Sequence, residues 1–251
     1  IEDCRKAVEN IDVISHQAAL GSVPRSIDDP LSSHISNVNG FLNILISARE
    51  KNIKRIVYAS SSSVYGDNPE LPKFENNTGN VLSPYAATKA IDEIYAGVFT
   101  KCYNMECIGL RYFNVFGERQ NLGGAYATVV GIFLDQASKG KPLTINGDGT
   151  QRRDFTYVGD VVKANILASK SHKAKDGQAI NIGFGKNISI NELANFIYHK
   201  KIHLDAVNEP FENLADISKA KDLLNWEPSI FIQDWINNFI DKNQGFIDLK
   251  N

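Results

Sequence analysis

Apolar positions along this chain follow two alternating rhythms. Residues 36–50 place Val38, Phe41, Leu42, Leu45 and Ile46 three and four apart, the spacing of one buried helical face. Arg55-Ile56-Val57-Tyr58-Ala59 then runs as a short, largely apolar segment that stops in four serines, 60–63, which predicts a strand reaching the surface. Further strands are expected at 12–16, 108–113, 154–158 and 179–182. Helices are expected at 2–10, 84–103, 126–139, 159–170, 189–199, 216–225 and 231–242. Ser83-Pro84 is a helix-start signal, with proline in the first turn, and Asn146-Gly147-Asp148-Gly149 marks turns. Strands separated by helices imply βαβ crossovers and a parallel sheet covered on both faces.

Length and charge narrow the reading. At about 150 residues per domain, 251 residues suggest one domain with a subsidiary lobe. A hydrophobic content of 43% with 27 basic against 29 acidic residues excludes disorder as the main reading. The same balance gives no electrostatic case for a nucleic-acid partner. No apolar run approaches the roughly 18 residues of a membrane span. The charged start, Ile1-Glu2-Asp3-Cys4-Arg5-Lys6, does not read as a signal peptide. Cys4, Cys102 and Cys107 are odd in number and lack Cys-x-x-Cys spacing, so neither a disulfide framework nor a metal site is indicated, and a reducing cytoplasm is expected.

Ligands of open α/β sheets bind beyond the carboxyl ends of the strands. Three predicted strands end there in small or polar residues: His16-Gln17-Ala18-Ala19, the serine run, and Tyr112-Phe113-Asn114. Any one of these could simply be a strand reaching solvent; three on one edge make a site the better reading. Tyr85-Ala86-Ala87-Thr88-Lys89 sets a phenol and an ammonium one helical turn apart. A nearby cation favours the phenolate, so such a tyrosine can serve as a base near neutral pH. Taken alone, a Tyr-x-x-x-Lys is as readily a packed ring beside a solvated lysine. Its position after the serine-ended strand points instead to proton transfer with an alcohol, coupled to hydride transfer.

His16-Gln17-Ala18-Ala19, Ser60-Ser61-Ser62-Ser63-Val64-Tyr65-Gly66, Ser83-Pro84-Tyr85 with Lys89, Arg111-Tyr112-Phe113-Asn114-Val115-Phe116-Gly117 and Arg152-Arg153-Asp154-Phe155, in this order, resemble the extended short-chain dehydrogenase/reductase family. More narrowly, the chain resembles bacterial UDP-N-acetylglucosamine (or N-acetylglucosaminuronate) 4-epimerases, through Ala19-Leu20-Gly21-Ser22-Val23-Pro24-Arg25-Ser26, Phe113 to Gln120, and Gly124-Ala125-Tyr126-Ala127. The resemblance implies an α/β fold: a Rossmann-like doubly wound parallel sheet, lacking its first βαβα units, with a smaller interleaved α/β substrate lobe. The NAD-binding part would be 1–117 plus about 155–183, and the nucleotide-sugar lobe 118–154 plus 184–251.

It also implies a chemistry. Tyr85 would take the proton of the sugar 4-hydroxyl as hydride leaves C4 for NAD, a resident cofactor. Lys89 would hold the nicotinamide ribose and depress the Tyr85 pKa, and Ser61 would bond the 4-oxygen. His16, Ala18, Ala19, Ser60 and Tyr112 would line the cofactor, and Asn37 would support the loops around it. Asn114 and Arg153 would hold the diphosphate of a UDP-sugar, Thr144 and Asn146 would sit by the uracil, and Ser22, Arg25 and Ser62 would approach the sugar. Asn213 falls near the position that gates sugar size, and Gly21 would leave room for an N-acetyl group. Related 4,6-dehydratases carry an acidic pair where this chain has Ser62 and Ser63. A homodimer through the helices at 36–50 and 84–103 is implied as well.

Two departures stand out. The family's glycine-rich phosphate loop should precede the His-x-Ala-Ala strand by some tens of residues, yet only 15 residues precede His16 and the first glycine is Gly21. The sequence therefore predicts weak NAD binding and an exposed sheet edge. A diphosphate-clamping arginine is expected shortly before Leu214-Ala215-Asp216, but Asn208 to Asn213 leads straight into that segment and no arginine follows Arg153. UDP-glucose epimerisation, UDP-glucuronate decarboxylation and a silent UDP-sugar- or partner-binding fragment stay open as rivals.

Overall fold

The computed structural model describes residues 1–122, 127–207 and 209–243 of the chain. Four parallel strands, Val13–His16, Arg55–Ser61, Glu106–Tyr112 and Ala179–Ile182, lie side by side in chain order. The central pair runs in register from Arg55 opposite Glu106 to Ser61 opposite Tyr112, so both strands stop at one edge. Val13–His16 pairs on one side only and leaves Val13 38% exposed. The α/β class with a parallel sheet is thus what the chain adopts.

Side chains alternate across a strand, and each central strand buries both sets. On one face Ile56, Tyr58 and Cys107 pack with Phe41 and Leu45 of the helix Gly40–Glu50 and with Ala96 and Phe99 of the helix Pro84–Tyr103. On the other, Val57, Ile108, Leu110 and Ile180 meet Val161, Ala164 and Ala168 of the helix Val158–Lys170, closed by Trp226. Each large side chain removed from water in this way contributes roughly 1.5–3 kcal/mol. The helix Pro84–Tyr103 begins where the sequence indicates: the Ser83 hydroxyl accepts the Ala86 N–H at 3.1 Å, and Asn104 closes the helix in the left-handed region, at φ 53°.

A second core gathers Phe116, Phe133, Leu134, Leu143, Leu193, Trp235 and Ile236. Around it Leu143–Asn146 pairs with Lys201–Leu204, and Arg152–Asp154 with Asn187–Ser189. Asp160 fastens the last part of the chain to the sheet: its carboxylate accepts the Ser229 N–H and hydroxyl at 2.8 and 2.7 Å, and its carbonyl accepts the Trp226 indole N–H at 2.9 Å.

The expected strand at 154–158 is divided. Arg152–Asp154 and Thr156–Tyr157 have different partners, and Val158 already opens a helix. The break sits at Asp154, whose fully buried carboxylate takes the N–H groups of Phe184, Gly185 and Ala215 at 2.7–3.1 Å. Phe113 leaves the strand and joins a small core with Val64, Tyr65 and Ala215. The helix expected at 126–139 spans Val129–Ser138; residues 124–126 of the Gly124-Ala125-Tyr126-Ala127 segment, and Asn208, lie outside the described residues. Two short helices, Val23–Asp28 and Pro30–His34, and the strand Lys201–Leu204 were not foreseen.

The two central strands approach closely at Gly109, where a Cβ would lie 2.6 Å from the Tyr58 hydroxyl oxygen. Gly109→Ala is expected to destabilise the fold by about 1–3 kcal/mol, measured by urea denaturation, because Tyr58 is buried and cannot retreat.

Candidate active site

The carboxyl edge of the strand Arg55–Ser61 meets the first turns of the helix Pro84–Tyr103. The Tyr85 phenol lies near the Ser61 hydroxyl, which favours its ionised form. Ser61 is buried, accepts the Ser63 N–H at 3.1 Å and lies 3.1 Å from the Ser63 hydroxyl. The Tyr85 backbone N–H donates to the Ser26 hydroxyl at 3.0 Å, which ties the start of this helix to the helix Val23–Asp28. Lys89, one turn along, is buried; its ammonium donates to the Ala59 carbonyl at 2.9 Å and to Asp92 Oδ2 at 3.3 Å.

The surroundings of the Tyr85 phenol oppose its ionisation on balance. Burial pushes it above its ordinary value, the Ser61 hydroxyl pulls it partly back, and the Asp92 charge adds to the rise. Lys89 is spent on Ala59 and Asp92, and burial lowers its own pKa.

The expected cofactor-side residues occupy the same edge in different ways. Burial, with the Lys89 charge behind it, pushes His16 down to about 4, so it stands as a neutral ring, 5.5 Å between centroids from Phe41. Ala18 and Ala19 follow it in the turn. Asn37 is fully engaged: its Oδ1 accepts the Leu20 N–H at 2.7 Å and its Nδ2 donates to the Leu20 carbonyl and the Thr88 hydroxyl. It therefore locks the turn after His16 to the helix of Tyr85. The Ser60 hydroxyl turns to Glu93 at 2.5 Å, and Glu93 forms a two-pronged pair with Arg111. The Tyr112 hydroxyl bonds Gln17 and Asn165, and its ring packs with the core that backs the helix Val158–Lys170.

Four of the expected substrate residues, Asn114, Thr144, Asn146 and Arg153, line one cavity of about 470 Å³ with Phe155 and Glu209. Asn114 takes φ 28° and donates to the Asp154 carbonyl at 2.7 Å. Asn213 joins this group: its Oδ1 accepts from the Asp154 N–H at 2.8 Å and from Asn114 Nδ2 at 3.4 Å. Thr144 is held by Gln136, which receives its N–H and donates to its hydroxyl. Arg153 is buried and pairs with Glu209 at 3.0 Å, while its Nη1 donates to the Arg152 and Phe211 carbonyls. Ser62 is half-buried beside Ser61; Ser22 caps the helix Val23–Asp28, and Arg25 lies exposed upon it.

Sequence reasoning missed Asp92, Ser26 and Glu209. Asp92 could have been found, since it stands three residues beyond Lys89 and so on the same helical face. Ser26 and Glu209 carry no local signal, because their partners lie 59 and 56 residues away in the chain.

A Ser–Tyr–Lys cluster at the carboxyl edge of a parallel sheet defines an enzyme of the short-chain dehydrogenase/reductase type. The family model described as "NAD dependent epimerase/dehydratase family" matches residues 1–183, and the chain belongs to that family. It stands among the UDP-sugar 4-epimerases of that family, with NAD as cofactor. A UDP-N-acetylglucosamine 4-epimerase from Methanobrevibacter ruminantium M1, solved with UDP-N-acetylmuramic acid, is 36% identical with a TM-score of 0.88; the match covers 96% of this chain and 80% of that one. A UDP-glucuronic acid 4-epimerase from Bacillus cereus, solved with UDP-glucuronic acid and NAD, is 32% identical with a TM-score of 0.85, covering 96% and 79%. A UDP-glucose 4-epimerase of Mycolicibacterium smegmatis is 33% identical over 92% of this chain and 75% of its own length.

The residues present fit the nicotinamide-ribose end of that cofactor: a buried ammonium, a phenol near a serine and a neutral imidazole share one edge.

The direction of the Tyr85 shift is measurable. The folded state favours the neutral phenol, so the stability Tyr85 contributes is complete below about pH 10 and falls as pH rises past that ordinary value. Absorbance titration of the protein without NAD, compared with Tyr85→Phe, is expected to show one phenol ionising later than a free tyrosine.

Proposed function

We propose that the chain interconverts the C4 epimers of a UDP-hexose carrying an N-acetyl group, UDP-N-acetylglucosamine and UDP-N-acetylgalactosamine or the corresponding uronates. The observation that carries this reading is the gathering of Ser61, Tyr85 and Lys89 at one sheet edge, with the Lys89 ammonium pinned to the Ala59 carbonyl one turn behind the phenol. Bound NAD supplies a reversible hydride acceptor for C4. Tyr85 takes the proton of the 4-hydroxyl and Ser61 keeps the 4-oxygen in place. Lys89 holds the nicotinamide ribose, and its charge offsets the cost of ionising a buried phenol. The 4-keto sugar turns over, and Tyr85 returns the proton as the opposite face is reduced. His16, Ala18, Ala19, Ser60, Tyr112 and Asn37 form or brace the cofactor side.

Asn114 and Arg153 are assigned to the diphosphate, Thr144 and Asn146 to the uracil, and Ser22, Arg25 and Ser62 to the sugar. Arg153 offers planar paired donors suited to phosphate. Glu209 now occupies it, so the diphosphate has to exchange with that carboxylate. Ser62 and Ser63 provide no acid–base pair for water elimination. The N-acetyl reading is supported by the open space at Gly21 and by the 36% identity to the Methanobrevibacter enzyme, while the mid-sized Asn213 beside Asn114 admits either a hydroxyl or an N-acetyl group. We also assign a homodimer. Ile94 and Val98 on the helix Pro84–Tyr103, with Leu31 and Ile35 near it, are exposed apolar residues of the kind that mark an interface.

With NAD present, Tyr85→Phe is expected to lower kcat by about 10²–10⁴-fold while UDP-sugar binding by calorimetry stays near wild type. Arg153→Ala is expected to act mainly on KM. Separation of the 4-epimers formed from UDP-N-acetylglucosamine, UDP-glucose and UDP-glucuronate tests the sugar assignment, and preference for a sugar without the N-acetyl group overturns it. Ile94→Asp is expected to halve the mass seen by sedimentation; an unchanged mass removes that helix from the interface.

A further inference from the structure

Lys89 and Asp92 sit three residues apart on one helical face, with side chains only 4% and 2% exposed. Asp92 Oδ2 accepts from the Lys89 ammonium at 3.3 Å, but its Oδ1 is buried with no hydrogen-bond partner. That is unlike the structural carboxylates of this chain. Asp154 and Asp160 are buried too, and each fills both oxygens with donors from loops they join. A carboxylate placed only to knit the fold would be satisfied in the same way, since leaving one oxygen bare costs stability. Asp92 gains little from its burial except its contact with Lys89.

Among the acidic groups around this pair, Asp92 is the one that bonds the amine. Glu93, next in the helix, favours the charged amine through space, but its carboxylate is bonded to Ser60 and Arg111. His16 faces Lys89 from the edge strand as a neutral ring, and Tyr85 is neutral on the same helix. Tyr58 from the next strand and Cys107 from the third are pushed toward their neutral forms by burial. An amine enclosed by such neighbours sheds its proton unless an anion touches it.

We propose that Asp92 is a positioning residue for the reaction: its carboxylate keeps the enclosed Lys89 amine charged and aligned against the Ala59 carbonyl, where the ribose and the Tyr85 phenol need a cation. The proposal rests on the role given to Lys89 above. Burial lowers the Lys89 pKa and raises that of Asp92 to about 7, while each charge favours the ionised form of the other.

The test reads Lys89 directly and needs no cofactor. In full-length protein with 13C at the lysine ε-carbons, the Lys89 resonance is assigned by its loss in Lys89→Met and followed against pH. Asp92→Asn is expected to lower its midpoint by at least about one pH unit, a tenfold change in proton affinity, while Asp92→Glu retains most of the wild-type value. Should Asp92→Asn not fold by circular dichroism, the smaller Asp92→Ser makes the same comparison. An unchanged midpoint in the anion-free variant, or Asp92→Glu falling as far as Asp92→Asn, overturns the proposal. With NAD and UDP-sugar, the alkaline limb of kcat is expected to move down by the same amount in Asp92→Asn. Turnover retained in Lys89→Met would instead reject the role of Lys89, leaving the titration result standing.

Discussion

The donation from the Lys89 ammonium to the Ala59 carbonyl joins the strand that ends in Ser61 to the helix that carries Tyr85. It fixes the helix Pro84–Tyr103 in rotation and height against the strand Arg55–Ser61. With Lys89 pinned there, Tyr85 one turn earlier falls against Ser61, at the strand's last residue. The neighbouring supports act on the same joint: Ser26 receives the Tyr85 N–H, and Asn37 holds Thr88 and the turn after His16. Rotating this helix by one residue, about 100°, would carry the phenol off the serine and bury the amine in hydrocarbon.

Much of this was legible in the sequence, for a physical reason. The long helix announces itself through Ser83-Pro84 and an apolar face, and the strand through an apolar run ending in serines; both signals are local. The convergence of Asn114, Thr144, Asn146 and Arg153 on one cavity came from motif order, not periodicity, because those residues come from three separate parts of the chain. What stayed hidden depends on distant partners. The break at Asp154 comes from amides 30, 31 and 61 residues away. The strand Lys201–Leu204 has three exposed residues of four and therefore no apolar alternation to read. Around Tyr85, spacing shows that a cation stands one turn away, but not that a carboxylate three residues further on is paired with it.

The two halves of the candidate site share an electrostatic design. Each holds one buried cation, Lys89 or Arg153, and each cation has one acidic partner, Asp92 or Glu209. The partners differ in access. Asp92 is sealed, whereas the Glu209 side chain is 43% exposed and can swing into water. A permanent counter-ion suits a charge that must persist through a catalytic cycle, and a displaceable one suits a charge that must be offered to an arriving anion.

The clasp at Asp160 has a consequence for how the molecule comes apart. The chain leaves the sheet layer after Tyr112, builds part of the second core, returns through Val158–Lys170 and Ala179–Ile182, and departs again before Trp226 is brought back onto Asp160. Neither core is a continuous stretch of sequence, so neither can melt while its connections to the other stay intact. Heat or denaturant therefore meets one cooperative unit, and the sheet edge and the cavity are lost together when the assembly gives way.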